Sequence, residues 1–328
     1  MNWGLIKKDK LMYDFIRLET KSLSFLHDLL KAPLLKNKVS GYNHDTAEVL
    51  GTIKVKYQGL TFELFVTGRI VIFGSLHKYF NNGDHNYNDF GYNQLIGVIN
   101  DLKDKFGPDI LNMTVTGLEF GININTPFTP QRFTERCISH FNKERTPIIR
   151  DDLKGYDKGI SFNSTDYRIK IYNKSKQYKQ PVNILRLEVK YLRSRVFESA
   201  DIKSFKDVLN SHSIDALAND LFKRVEEVVY NEDLNRSKLT RNEERIYLEC
   251  INSQYWKQWT KEKRSKKKIQ FTQLIKKYSI SHDKALVLDL MKRKYLQLMN
   301  HNKSGHDFQD YKTGYYSRFP HLSIVGNG

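Results

Sequence analysis

Tyr172 stands in a run, Asp166-Tyr-Arg-Ile-Lys-Ile-Tyr172-Asn-Lys174, in which apolar and polar residues alternate strictly. Successive side chains of a strand point to opposite faces. Arg168, Lys170 and Tyr172 therefore share one face and Tyr167, Ile169 and Ile171 the other. A second alternating run, Leu185-Arg186-Leu-Glu188-Val-Lys190, puts Arg186, Glu188 and Lys190 together. A third, Val115-Thr-Gly-Leu-Glu119-Phe-Gly-Ile-Asn123-Ile-Asn125, has an apolar face and a polar face of Gly117, Glu119, Gly121 and Asn123. Its glycines leave open backbone beside Glu119, as close approach to a site requires. If these strands adjoin, a phenol, two carboxylates, an amide oxygen and several cations converge. Glu119, Asn123 and Glu188 offer hard oxygen donors for Mg²⁺ or Mn²⁺. Tyr172 is then a nucleophile for a phosphodiester, with Arg168, Lys170, Arg186 and Lys190 facing phosphate. Each residue taken singly also has a plain reading, as a surface aromatic or a solvated ion pair.

The remaining chain must position these runs. Residues 10–32 read as a strand and a short helix; Thr52–Tyr57, Phe62–Thr67 and Arg69–Phe73 read as strands separated at Gly59 and Gly68. Gly74 to Asp89 is rich in Asn, Gly and Asp and reads as a loop, which carries His77 and His85. Asn93–Phe106 has helical spacing and stops at Gly107-Pro108, and Pro130–Phe141 reads as a further helix. From Ser204 the spacing becomes helical, near 204–230, 240–259, 269–278 and 282–300. The expected architecture is α+β: an antiparallel sheet with flanking helices over residues 1–200, an all-helical region over 201–300, and an extended tail over 301–328.

The 328 residues carry a formal charge of +17, which points to a polyanionic partner, nucleic acid before an anionic membrane. Lys257–Lys268 is the densest basic run, seven Lys/Arg against one Glu, and includes Lys263, Arg264, Lys266, Lys267 and Lys268. Phe271–Met291 reads either as a helix-turn-helix with Ser281 and Asp283 at N-cap positions or as part of a plain helical bundle. Trp256 and Trp259 read as core. No run is long enough to span a membrane, the first residues lack a signal-peptide pattern, and Cys137 and Cys250 fit no metal spacing. A reducing, cytoplasmic setting is expected.

The segment Arg168-Ile-Lys-Ile-Tyr172-Asn-Lys174, with Leu185-Arg-Leu-Glu188-Val-Lys, resembles the catalytic region of rolling-circle replication initiators of the Rep_trans type. It is also similar to the gene II protein family of filamentous phages and related plasmids. The strand Thr116-Gly-Leu-Glu119-Phe-Gly-Ile-Asn123-Ile and the element Gly74-Ser-Leu-His77-Lys-Tyr-Phe to His85-Asn86 add to the likeness, which covers roughly residues 52–197. The resemblance implies an HUH-like sheet and a nickase and strand transferase of a plasmid or single-stranded DNA phage. It implies Tyr172 as the residue joined to the 5′ phosphate, and Lys174 is taken with it as catalytic, placed to contact phosphate. It also implies a divalent metal, origin DNA as partner and a host helicase alongside. Asn123 stands where the initiators usually carry Asp, and no His-apolar-His motif is present, so the metal site would rest on carboxylates with His85 as a further ligand. Tyr167 and Tyr178 are close enough in sequence to be second tyrosines. Two rivals remain: a water-using metal nuclease built on Glu188-Val-Lys190, and a basic DNA-binding regulator without catalysis.

Overall fold

The computed structural model describes residues 13–36, 39–42, 49–149 and 157–299. Its first strand, β1 (Tyr13–Lys21), runs into α1 (Leu23–Lys31), which Ser22 caps by accepting from the Phe25 amide. A meander follows: β2 (Val39–Tyr42), β3 (Val49–Tyr57), β4 (Leu60–Phe65) and β5 (Arg69–Ser75). Gly59 and Gly68, both at φ +83°, make the last two turns in a region that disfavours side chains. The expected 74–89 loop contains a short helix, α2 (Leu76–Phe80), capped by Ser75. After α3 (Tyr92–Phe106) comes β6 (Thr114–Asn125).

The helix expected over 130–141 ends early. α4 (Pro130–Arg136) gives way to β7 (Cys137–His140), whose four residues are all buried, and then to β8 (Lys143–Glu144) and β9 (Thr146–Ile149). Burial on both faces favours extended backbone there over a one-sided helix. The central strands are β10 (Asp157–Asn163), β11 (Tyr167–Asn173) and β12 (Ile184–Tyr191), with α5 (Lys174–Tyr178) between the last two and α6 (Ser194–Glu198) after them. Helices then dominate: α7 (Ser211–Glu227), α8 (Arg241–Ile251), α9 (Ser253–Gln258), α10 (Lys261–Tyr278) and α11 (Asp283–Met299). A strand, β13 (Val228–Tyr230), interrupts them and pairs with β7.

The fold is α+β. Among the described residues ten strands form one antiparallel sheet in the order β2-β3-β4-β5-β1-β6-β12-β11-β10-β9. One face is apolar: Leu118, Phe120, Ile122 and Ile124 of β6 join Leu185, Leu187 and Val189 of β12 and Ile169 and Ile171 of β11 in the main core. Helices α7 and α11 pack on that face, against β6. The opposite face holds the polar residues.

The helical region divides between two cores. Val287, Met291 and Leu298 of α11 belong to the main core, whereas Tyr247, Cys250, Trp256, Trp259, Phe271 and Leu274 of α8–α10 form a second cluster with Ile138 and Val229. Both tryptophans are thus core residues. The consecutive helices α10 and α11 therefore bury their faces in different places, α10 on α8 and α11 on the sheet. Ser281 and Asp283 do not cap α11 with their own side chains. The buried Glu232 carboxylate accepts from the Asp283 and Lys284 amides and from the Ser281 hydroxyl, while Asp283 is held by Arg132 at 2.7 Å. The expected tail, residues 301–328, lies outside the described residues. Among the described residues no helix is long and apolar enough to cross a membrane.

Candidate active site

The three strands singled out by their alternation are neighbours, in the order β6-β12-β11. Lys170 lies opposite Glu188, Tyr172 opposite Arg186, Arg186 opposite Asn123, and Lys190 opposite Glu119. Cross-strand pairs of this kind sit close enough to interact directly. The register needs space, and glycine supplies it at two points. A Cβ on Gly121 would lie 2.4 Å from the Cβ of Glu188, and one on Gly159 would lie 2.4 Å from the Cβ of Tyr172.

The Tyr172 hydroxyl is 3.2 Å from Glu188 Oε2, to which it donates, and it accepts from Lys174 Nζ at 3.4 Å. Lys174 reaches it because Asn173 caps α5, accepting from the Lys176 amide, so the first helical residue turns back over the strand end. Its ammonium lies 5.4 Å from the centre of the Tyr172 ring and 5.3 Å from that of Tyr178. Lys170 Nζ bridges the two carboxylates, 2.8 Å from Glu188 Oε1 and 3.3 Å from Glu119 Oε2. Lys190 Nζ is 2.9 Å from Glu119 Oε1.

A third carboxylate joins them. Asp14 of β1 is buried, accepts from Ser75 and from Asn86, and lies 3.2 Å from Arg186 Nη2. The β1/β6 ladder shifts register between Tyr13 and Ile16, a bulge that places both Asp14 and Phe15 on the polar side. Strict alternation cannot predict that, so Asp14 carried no sequence signal beyond being an acid in a strand. Asn86 is fixed in turn by Tyr178, whose hydroxyl donates to it at 2.7 Å. The Asn-rich loop around it is knitted by Asn81 and Asn88.

The electrostatics divide the ionisable groups. Burial works to raise the Glu188 carboxyl, but Lys170 and Arg186 outweigh it and hold the group well below the usual carboxylate range. Asp14, equally buried, is held well below the carboxylate range by Arg186 and Lys174. Burial, reinforced by Glu188, pushes the Tyr172 phenol well above its ordinary value. Lys174 is 1 % exposed, and burial pulls its ammonium down to about 8 despite Asp14. Lys170 goes the other way: Glu188 and Glu119 overcome its desolvation and raise it.

Arg186, expected to face phosphate, is 2 % exposed and spends its donors on Glu188 at 2.9 Å, Asp14 and Asn123. It braces the cluster from below. Asn123, expected as a metal ligand, accepts from Arg186 at 3.3 Å and donates to the Asn86 and Tyr87 carbonyls, tying the loop to the sheet. His85, the other expected ligand, stacks on Tyr87 at 4.1 Å with its edge toward Tyr178. His77 is buried against Phe90 and paired with Asn88 at 2.6 Å. Arg168 is exposed on the same face as Lys170. Tyr167 lies under the Arg224 guanidinium, 3.4 Å from its ring centre, on the core side and away from Tyr172.

Glu119 and Glu188 are the donors that a divalent cation would share. They already converge on a positive charge, the Lys170 ammonium. Among the described residues no three His, Cys, Asp or Glu side chains converge on a common centre. The basic run of α10 splits. Arg264 donates to the Trp256 and Trp259 carbonyls, Lys267 pairs with Glu249, and Lys268 reaches the Glu227 carbonyl, whereas Lys263 and Lys266 are exposed.

No family model matches the chain, and no curated protein matches it. Among solved structures it is similar to a rolling circle replication initiator protein from Geobacillus stearothermophilus, with 12% identity over 87% of this chain and 97% of that one and a TM-score of 0.42. At that distance, function has to be argued from the chemistry of the site.

Proposed function

We propose that this chain is a replication initiator that nicks and rejoins one DNA strand through Tyr172. One observation carries the reading: the hydroxyl of the half-buried Tyr172 touches a carboxylate and a lysine amine at once, Glu188 at 3.2 Å and Lys174 at 3.4 Å, on the face that also carries Arg168, Lys170 and Lys190. The phenol oxygen attacks phosphorus, a new P–O bond forms, and the bond to the 3′ oxygen breaks. The products are a 5′-phosphotyrosine and a free 3′ hydroxyl, whose proton comes from solvent. Rejoining reverses both bond changes.

The phenol proton needs an acceptor, and magnitudes choose it. Glu188, held below the usual carboxylate range by Lys170 and Arg186, is a weak base at neutral pH, whereas Lys174 at about 8 is matched to the task. Glu188 therefore holds the hydroxyl only while Lys174 is an ammonium donating to it; once Lys174 is a free amine the single phenol proton turns from Glu188 to it, and Lys174 takes that proton while the P–O bond forms. That timing avoids a discrete phenolate, which the buried site disfavours. Lys170 and Lys190 offer charge to the phosphate oxygens. Glu119 and Glu188 are the residues that would hold a divalent cation, and such an ion would supply further polarisation of the phosphate.

Tyr172→Phe provides the test. The variant should leave origin-type single strands and supercoiled plasmid uncut in Mg²⁺ or Mn²⁺, with fold and DNA affinity retained. Continued cleavage by Tyr172→Phe would instead assign the carboxylates to a water-using nuclease.

A further inference from the structure

The bulge in β1 has a second product. It turns Phe15 to the same side as Asp14, one strand away from Glu119. Phe15 lies 6.5 Å from Phe73 of β5, centre to centre, as a diagonal cross-strand pair, and both rings are half-buried. Each carries a cation. Lys190 Nζ lies 4.9 Å from the Phe15 ring centre, and the Arg17 guanidinium lies 5.4 Å from that of Phe73. Lys190 is also the partner of Glu119, so this aromatic pair is continuous with the carboxylate cluster.

We propose that Phe15 and Phe73, with Arg17 and Lys190, form a stacking platform for bases of the single DNA strand whose phosphodiester lies at Tyr172. Aromatic rings presented from a sheet beside basic groups suit unpaired bases, because any base has a π-face and the cations meet the backbone. A duplex hides those faces in its own stack. Four strand steps separate β11 from β5, about 19 Å at the usual ~4.8 Å spacing, so the platform holds nucleotides flanking the attacked one. A merely structural role would leave both rings as a surface contact with no preference among nucleic acids. The assignment to DNA, and only that, rests on the nicking proposed above.

The experiment uses the full chain carrying Tyr172→Phe, so that binding is read without cleavage, and follows fluorescence anisotropy of a labelled oligodeoxynucleotide. Phe15→Leu and Phe73→Leu keep apolar bulk and remove the ring. Each should weaken single-strand binding on the order of tenfold, as loss of one base stack does, leave thermal melting unchanged, and leave duplex binding intact. Oligonucleotides with abasic sites at the stacked positions should bind parent and Leu variants alike. Leu variants that bind single strands like the parent, or lose duplex binding equally, would overturn the platform. An RNA strand held as tightly as DNA would overturn the assignment to DNA. Ring-dependent binding by a wild-type chain that never nicks would refute the nicking and leave the platform standing; nicking with no ring dependence would do the reverse.

Discussion

Lys174 is the residue in which stability and chemistry oppose each other. Its ammonium is buried and pulled down to about 8. The folded protein therefore binds that proton less tightly than the unfolded chain, and stability from this group rises as pH climbs from about 8 toward the ordinary lysine value. Below that window the folded state carries the cost of a buried charge. Lys174→Met removes the cost, so denaturant melts at pH 7 should show a gain of about 1–3 kcal/mol. The same variant should lose nicking. In the wild type the nicking rate should climb with pH and level off above about 8, where the amine is free, and Lys174→Arg should abolish that inflection. Nicking that falls across this range would remove Lys174 from the proton's path.

At the scale of elements, the register of β6, β12, β11 and β10 makes the site, and two glycines permit it. Gly121→Ala forces a Cβ into Glu188 and should cost roughly 1–3 kcal/mol by overpacking, with loss of nicking. Gly97→Ala is the control: it sits within α3 with nothing within 4 Å of a new Cβ, and should stabilise by about 0.5–1 kcal/mol through helix propensity. Urea midpoints decide both. Much of this geometry was legible in the sequence, because alternation with period two assigns Glu119, Lys170, Tyr172, Arg186 and Glu188 to faces without coordinates. Adjacency of three strands then sufficed to bring them together. Asp14 was hidden by a bulge that breaks the alternation, and Gly159 by a cross-strand pairing that local pattern does not encode. The role of Arg186 was misjudged because charge suggested phosphate, whereas burial among Asp14, Asn123 and Glu188 makes it a brace. The turn of Cys137–His140 into a strand depends on its distant partner β13, and helical spacing cannot register such a partner.

For the whole molecule, the +17 charge sets how DNA is met. Of the exposed cations of α10, Lys261 and Lys266 point away from the second core and Lys263 lies 5.5 Å from the Trp259 ring centre, whereas Arg264, Lys267 and Lys268 serve that core. Replacing the first three together by Gln should weaken duplex binding and lower the slope of log affinity against log salt by about 2–3. Melting should change little, since the contact given up is that of Lys263 with the Trp259 ring. An unaltered slope would move the duplex contact off α10. Arg264→Ala, by contrast, should destabilise the fold, because it strips the carbonyls at the end of α9 of their donor.

The most direct measurement is the identity of the atom that DNA is joined to. After incubation with a single-stranded origin oligonucleotide, quenching and digestion, mass spectrometry should find a 5′-phosphonucleotide on the peptide containing Tyr172, and on no peptide when Tyr172 is Phe. Strand cleavage with no covalent adduct, or an adduct on Tyr178 that survives Tyr172→Phe, would contradict the account.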